Sequence, residues 1–223
     1  MATPASAQSR VAVFARAPVP GEVKTRLVPV LGGEGAAALH RALVARALEA
    51  AIAADLGPVE LWCAPDARDP FFRSCAERFP VSLIAQHAGD LGERMRVAFE
   101  TMLGMSARAL LIGSDIPAMT ADYLRAADAA LAEGCDAVIG PAEDGGYVLI
   151  GLCRSGRGVA PGLFEGIAWG GPAVLRQTRA RIERLGWRHR ELPALWDVDR
   201  PEDLSRLQVP LDGIACAGRR DDG

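Results

Sequence analysis

Short apolar, β-branched runs alternate along this chain with longer segments whose apolar residues recur at helical spacing. That alternation restricts the fold more than any other feature. The runs at 10–15, 59–63, 81–85, 109–113, 137–140, 147–151 and 187–191 read as strands. Between and after them, 33–54, 69–78, 90–103, 120–133, 172–185 and 201–207 read as helices. Leu39, Leu43, Val44, Leu48 and Ile52 form the apolar stripe of the first helix, and Leu91, Met95, Ala98, Phe99 and Met102 that of the third. Asp69 before Pro70, and Thr120 before Asp122, are N-terminal cap signals. Repeated strand–helix–strand order predicts a single α/β domain, with a mostly parallel, doubly wound sheet and helices on both faces.

Composition excludes several classes of function. A net charge of −3 leaves no basic footprint for nucleic acid and no polybasic patch for a membrane surface. No apolar stretch is long enough for a transmembrane helix. The five cysteines are scattered and lack CxxC spacing, so they read as reduced, buried side chains of a cytoplasmic protein. The three histidines lie far apart, which argues against a histidine metal cluster. Residues 1–9 have neither a cationic nor an apolar signal-peptide region and are expected to be a flexible N-terminus. The folded domain is expected over 10–208, with a flexible tail at 209–223.

Four segments carry candidate chemistry. Lys24 is the only lysine among 25 basic residues. Where arginine serves everywhere else, one ammonium marks a need for a compact, strongly hydrated point charge, unless the arginine bias is purely compositional. It lies with Arg16 and Arg26 in a loop stiffened by Pro18, Pro20 and Gly21, straight after the first strand. Ligands of open parallel sheets bind beyond the carboxyl ends of the strands, and three cations there suit a diphosphate or triphosphate. As a solvated basic loop the segment would need no ligand, and it is neither a Walker A loop nor a GxGxxG fingerprint.

Asp115 follows the most apolar run, in Gly-Ser-Asp-Ile-Pro. It could hold a hard divalent cation that also bridges phosphates, or simply open a turn before Pro117. In 140–147, Gly145 and Gly146 permit close backbone approach and Asp144 can accept from a hydroxyl; the Asp-Gly step also fits a hairpin turn. Asp197 and Asp199 alternate on a short extended piece and share one face, ahead of a helix whose first turn holds Glu202 and Asp203. Either aspartate could be a second metal carboxylate, and an acidic helix start is the alternative.

These segments in this order, together with Gly89-Asp-Leu-Gly-Glu-Arg-Met95, resemble the bacterial DUF2064 family of small glycosyltransferase-like proteins. That family lies in the nucleotide-diphospho-sugar transferase superfamily and has the GT-A fold. The resemblance spans about residues 11–207. It implies that Lys24, Arg26, Arg16 and Arg94 bind nucleotide phosphates and that Asp115 and Asp199, with Asp197, hold Mg²⁺ or Mn²⁺. It also implies that Asp144, Gly145 and Gly146 line the sugar or acceptor pocket. The expected partners are a nucleotide-sugar or NTP and a small-molecule acceptor, with Asp144 and Lys24 as the catalytic candidates.

Three departures stand out. The G-x-G-[ST]-R-M loop of most sugar nucleotidyltransferases is absent, and Asp115 is followed by Ile116-Pro117, not completed as D-x-D. Trp169 is followed by Gly170, where the family more often has Ser or Thr. Glycosyl transfer from a nucleotide-activated donor is the leading expectation. Nucleotidyl transfer, as in the 2-phospholactate guanylyltransferases that also lack the Gly-rich loop, is the alternative, and a nucleotide-binding protein without turnover is the third.

Overall fold

The computed structural model describes residues 6–154, 159–160 and 162–207. Seven strands form one sheet: β1 (Ser6–Arg16), β2 (Val59–Ala64), β3 (Val81–Ala85), β4 (Ser106–Gly113), β5 (Ala137–Pro141), β6 (Tyr147–Cys153) and β7 (His189–Glu191). Their order is β3-β2-β1-β4-β6-β5-β7, with all neighbours parallel except β6, which runs antiparallel to both β4 and β5. The helices are α1 (Val28–Ala53), α2 (Pro70–Arg78), α3 (Leu91–Met105), α4 (Ala121–Ala132) and α5 (Val174–Arg184), with short 3₁₀ turns at Thr25–Leu27 and Pro201–Arg206. This is the mostly parallel α/β sheet that the strand–helix alternation predicts.

The sheet separates two apolar layers, because successive strand side chains point to opposite faces. Val11, Val13 and Ala15 of β1 pack with α1, α2 and α4, while Ala12 and Phe14 pack with α3 and α5. A third cluster of Leu27, Leu39, Leu43 and Val198 holds the 196–198 segment against the start of α1. Asp69, Asp90 and Thr120 each cap a helix, their side chains accepting from the backbone N–H of Phe71, Glu93 and Tyr123 respectively.

Several local expectations change. Residues 6–9, expected in a loose N-terminus, extend β1, since Ser9 is fully buried and its hydroxyl lies between Asp128 and Arg108. Residues 1–5 and the tail 208–223, including Cys216, lie outside the described residues. Helix α1 begins at Val28, but Gly32 breaks it with φ 68°, so the regular helix starts at Gly33 as its spacing predicts. The closing helix is only a 3₁₀ turn, and β7 starts two residues late, at His189. Leu91, placed on the buried stripe of α3, is instead 42% exposed at its first position.

Gly151 explains how α4 approaches the sheet. It pairs with Leu110 on one side and Val138 on the other. A Cβ there would sit 2.5 Å from Leu110 Cδ2, 2.6 Å from Val138 Cγ1 and 3.2 Å from Leu131 Cδ1. Gly151→Val should therefore overpack this layer and lower unfolding stability by about 1–3 kcal/mol, read as a reduced urea midpoint at unchanged slope.

Candidate functional site

The parallel pairing of β1 and β4 sets the site. Phe14 stands opposite Gly113, so the chain leaves both strands at the same sheet edge, with Arg16 on one and Ser114-Asp115 on the other. After β1, the loop returns to α1 through Lys24, whose backbone is left-handed at φ 49°, ψ 41°. A left-handed lysine is costly unless its surroundings hold it there. The holding contacts are those of its ammonium: Nζ donates to Val198 O at 2.6 Å and lies 2.8 Å from Asp115 Oδ2, with the side chain only 4% exposed. Val198 N–H in turn donates to the Asp115 carbonyl at 2.9 Å. One ammonium thus clasps three separate segments: the first βα loop, the end of β4 and the 196–199 segment.

His40 completes this cluster. It is buried on α1, and its Nε2 meets the Arg16 carbonyl at 3.0 Å, so Nε2 carries a proton. Its Nδ1, which has no hydrogen-bond partner, faces Asp115 Oδ1 at 3.5 Å. Burial alone would push the Asp115 carboxyl upward, but Lys24 and His40 outweigh it and hold that carboxyl well below the usual carboxylate range. The wide spacing of the three histidines argues against a metal cluster but gives no sign of this role. The available signal was periodicity, since His40 sits among Ala36, Ala37, Leu43 and Val44 on the buried stripe.

Around this clasp opens a cleft of about 570 Å³ lined by Arg16, Lys24, Arg26, Arg94, Asp115 and Asp199, among others. The four expected cation positions are thereby brought together. Arg16 is exposed, Arg26 is 62% exposed and pairs with Asp199, and Arg94 Nε donates to Gly89 O at 3.0 Å. Asp199 N–H is held by Asp203 Oδ2 at 3.0 Å, so Asp203 orders the start of the last turn.

A second cleft of about 360 Å³ shares Arg26 and Asp199 with the first and adds Asp144, Asp197 and Trp196. The Asp-Gly step is indeed the turn of the β5–β6 hairpin: Gly145 N–H donates to Ala142 O, and Asp144 Oδ1 accepts from Gly146 N–H at 2.9 Å. Gly145, at φ 92°, lies so close to the Pro172 carbonyl that any side chain would collide with it. Glycine is therefore needed here for packing as well as for the turn. Glu143 is taken up by a two-pronged pair with Arg206, which also stacks over Trp196 at 4.4 Å. Tyr147 packs edge-on to Trp169 beside the core. Glu143 N–H donates to Leu195 O and Leu195 N–H to Pro141 O, which carries the aspartate segment alongside the hairpin. There burial, then the nearby Asp144, push the Asp197 carboxyl up.

Asp115, Asp197 and Asp199 offer hard oxygen donors of the kind magnesium and manganese take, usually with phosphates completing the shell. The Asp115 carbonyl accepts from the backbone N–H of Val198, the residue just before Asp199. Each is neutralised by a cation of the chain, and among the described residues no group of three His, Cys, Asp or Glu side chains is preassembled to hold a metal.

No helix among the described residues is long and apolar enough to cross a membrane. No curated protein matches the chain. Among solved structures, it is 34% identical to a protein from Desulfovibrio desulfuricans G20 whose assignment as a nucleotide-diphospho-sugar transferase is itself an inference. That match covers 87% of this chain and 84% of the other, with a TM-score of 0.78. A nucleotidyl transferase from Methanothermobacter thermautotroptrophicus shares the fold at 13% identity, covering 90% and 96% of the two chains, with a TM-score of 0.57. Rv0371c from Mycobacterium tuberculosis H37Rv, in a complex with manganese, does so at 18% identity, covering 90% and 97%, with a TM-score of 0.51. The model of the family described as "Uncharacterized protein conserved in bacteria (DUF2064)" matches residues 47–171. With over half its length matched, the chain belongs to the DUF2064 family and has the nucleotide-diphospho-sugar transferase fold.

Proposed function

We propose that the protein is a metal-dependent transferase that moves a glycosyl group from a nucleotide-activated donor to a small acceptor. The observation that carries this reading is the convergence of Arg16, Lys24, Arg26 and Arg94 on Asp115 in one cleft, at the carboxyl edge of β1 and β4. Arg16, Lys24, Arg26 and Arg94 line this cleft against the carboxylates of Glu22, Asp115 and Asp199, and the three arginines are the groups a diphosphate would pair with. Asp115 and Asp199, with Asp197 beside them, would hold Mg²⁺ or Mn²⁺. When bound, the ion supplies charge neutralisation on the donor phosphates.

The chain's own groups divide the remaining work. Arg16, Arg26 and Arg94 bind the phosphates and stabilise charge on the departing nucleotide. Arg26 leaves Asp199 at little cost, because the pair is solvent-exposed. Lys24 acts first as the clasp that orients Asp115. Two of its three N–H donors are engaged there, which leaves one for a phosphate oxygen. In the adjoining cleft, Gly145 and Gly146 shape the acceptor side and Asp144 accepts the proton of the attacking hydroxyl.

Nucleotidyl transfer is the second reading, favoured by the fold shared with the Methanothermobacter nucleotidyl transferase. It is distinguished chemically, since joining an NTP to a phosphorylated acceptor releases pyrophosphate. A nucleotide-binding protein without turnover would bind donors independently of metal.

Thermal-shift titration of NDP-sugars with and without Mn²⁺ should show metal-enhanced binding to the wild type, weakened at least tenfold in Asp115→Ala. Equal binding by the variant would overturn the metal assignment. Lys24→Met should cost about 1–3 kcal/mol of unfolding free energy, less than for a fully buried pair because Asp115 is 41% exposed. Lys24→Arg should recover little of it, since a guanidinium fork does not fit between the carboxylate and the carbonyl. Incubation with Mg²⁺, each NTP and phosphate-bearing acceptors should release no pyrophosphate; release would replace the glycosyl reading with the nucleotidyl one.

A further inference from the structure

His40, which the proposed function leaves without a role, is built like a metal-ligating histidine. Helix α1 carries it at a buried position, only 4% exposed, and its Nε2–H donates to the Arg16 carbonyl at 3.0 Å. A carbonyl can only accept, so this bond places a proton on Nε2 and leaves Nδ1 to face Asp115. Histidines that bind metals donate their other ring N–H in this way, often to a backbone carbonyl, which fixes both tautomer and ring orientation.

The Asp115 carboxylate meets its two neighbours differently. Oδ2 closes on the Lys24 ammonium at 2.8 Å, whereas Oδ1 stops 3.5 Å from His40 Nδ1. A proton shared between imidazolium and carboxylate draws the two atoms to about 2.7–2.9 Å. Nδ1 is instead a buried nitrogen with no hydrogen-bond partner. The gap suits an ion better than a proton. Two donors each about 2.1 Å from one cation, at angles between octahedral and tetrahedral, stand roughly 3.0–3.5 Å apart. Asp115 and His40 both line the 570 Å³ cleft, and Asp115 remains 41% exposed, so an ion can reach this carboxylate.

We propose that His40 Nδ1 and Asp115 Oδ1 are paired ligands of the divalent cation, and that this nitrogen makes the site select a first-row transition ion such as Mn²⁺ or Co²⁺ over Mg²⁺. The proposal rests on Asp115 holding the ion, as in the function proposed above. Imidazole nitrogen binds transition ions well, whereas Mg²⁺ takes oxygen almost exclusively. Lys24 occupies Oδ2, so Asp115 has one oxygen to offer, and His40 adds the second protein donor beside it. Asp199 in the same cleft, phosphate oxygens and water are the hard donors that complete the shell.

Calorimetric titration with Co²⁺ and with Mg²⁺, each as the sole divalent ion, tests the assignment. The wild type should bind Co²⁺ on the order of tenfold more tightly than Mg²⁺. His40→Gln keeps an N–H for the Arg16 carbonyl and presents an amide oxygen in place of Nδ1. It should weaken Co²⁺ binding by about tenfold or more and change Mg²⁺ affinity by about threefold at most. Spin-echo EPR of the Mn²⁺-loaded wild type requires no substitution. Its nitrogen modulation should change when the protein carries ¹⁵N-histidine and should persist in His87→Ala, at an exposed position. No loss, or equal loss of both ions, in folded His40→Gln overturns the ligand assignment. Bound Mn²⁺ without histidine nitrogen overturns it too, while leaving Asp115 as the metal carboxylate. If neither ion binds, with or without inorganic pyrophosphate, this assignment and the metal dependence proposed above fall together.

Discussion

The site depends on one arrangement, the central parallel pair β1–β4 closed at its edge by the Lys24 ammonium. The pairing brings the ends of two strands far apart in sequence to one place, and the ammonium then ties Asp115 to the Val198 carbonyl. Val198 is itself held in an apolar cluster with Leu27, Leu39 and Leu43. Without that buried cation, the Asp115 carboxylate would face His40 Nδ1 and the cleft with no fixed partner. The left-handed backbone at Lys24 is the conformational cost of delivering it there.

Much of the charge in the two clefts is arranged in pairs. Lys24 neutralises Asp115, Arg26 neutralises Asp199, and Arg206 neutralises Glu143. Under the proposed function, a phosphate-bearing ligand with a divalent ion would exchange into this network, its negative charge meeting the arginines and the ion the carboxylates. Arg26 and Asp199 line both clefts. Asp197 lies on the acidic side, where burial and Asp144 raise its carboxyl.

Much of this was legible in the sequence. Strand and helix order followed from periodicity, because one-sided burial imposes periods of 2 and 3.6 on any chain that folds in layers. The positions of Arg16, Lys24 and Asp115 at the carboxyl edge of β1 and β4 followed from their places just after apolar runs. Less legible was what each group touches. Lys24 read as a free phosphate cation but has two of its donors engaged within the protein, and Asp144 caps its own hairpin turn. Leu91 matched the helical stripe, yet at the first position of α3 it is 42% exposed.

The sequence alone determined the layers, the sheet edge that carries the clefts and the residue types gathered there, since local periodicity and turn chemistry are encoded within short windows. Only the tertiary structure decided the partners. The clasp of Lys24 spans 174 residues to Val198, and the Gln86 side chain donates to carbonyls of β1 and β2. Such contacts are set by strand order and loop packing, which bring distant segments within hydrogen-bond range, and no local pattern records which donor will find which acceptor.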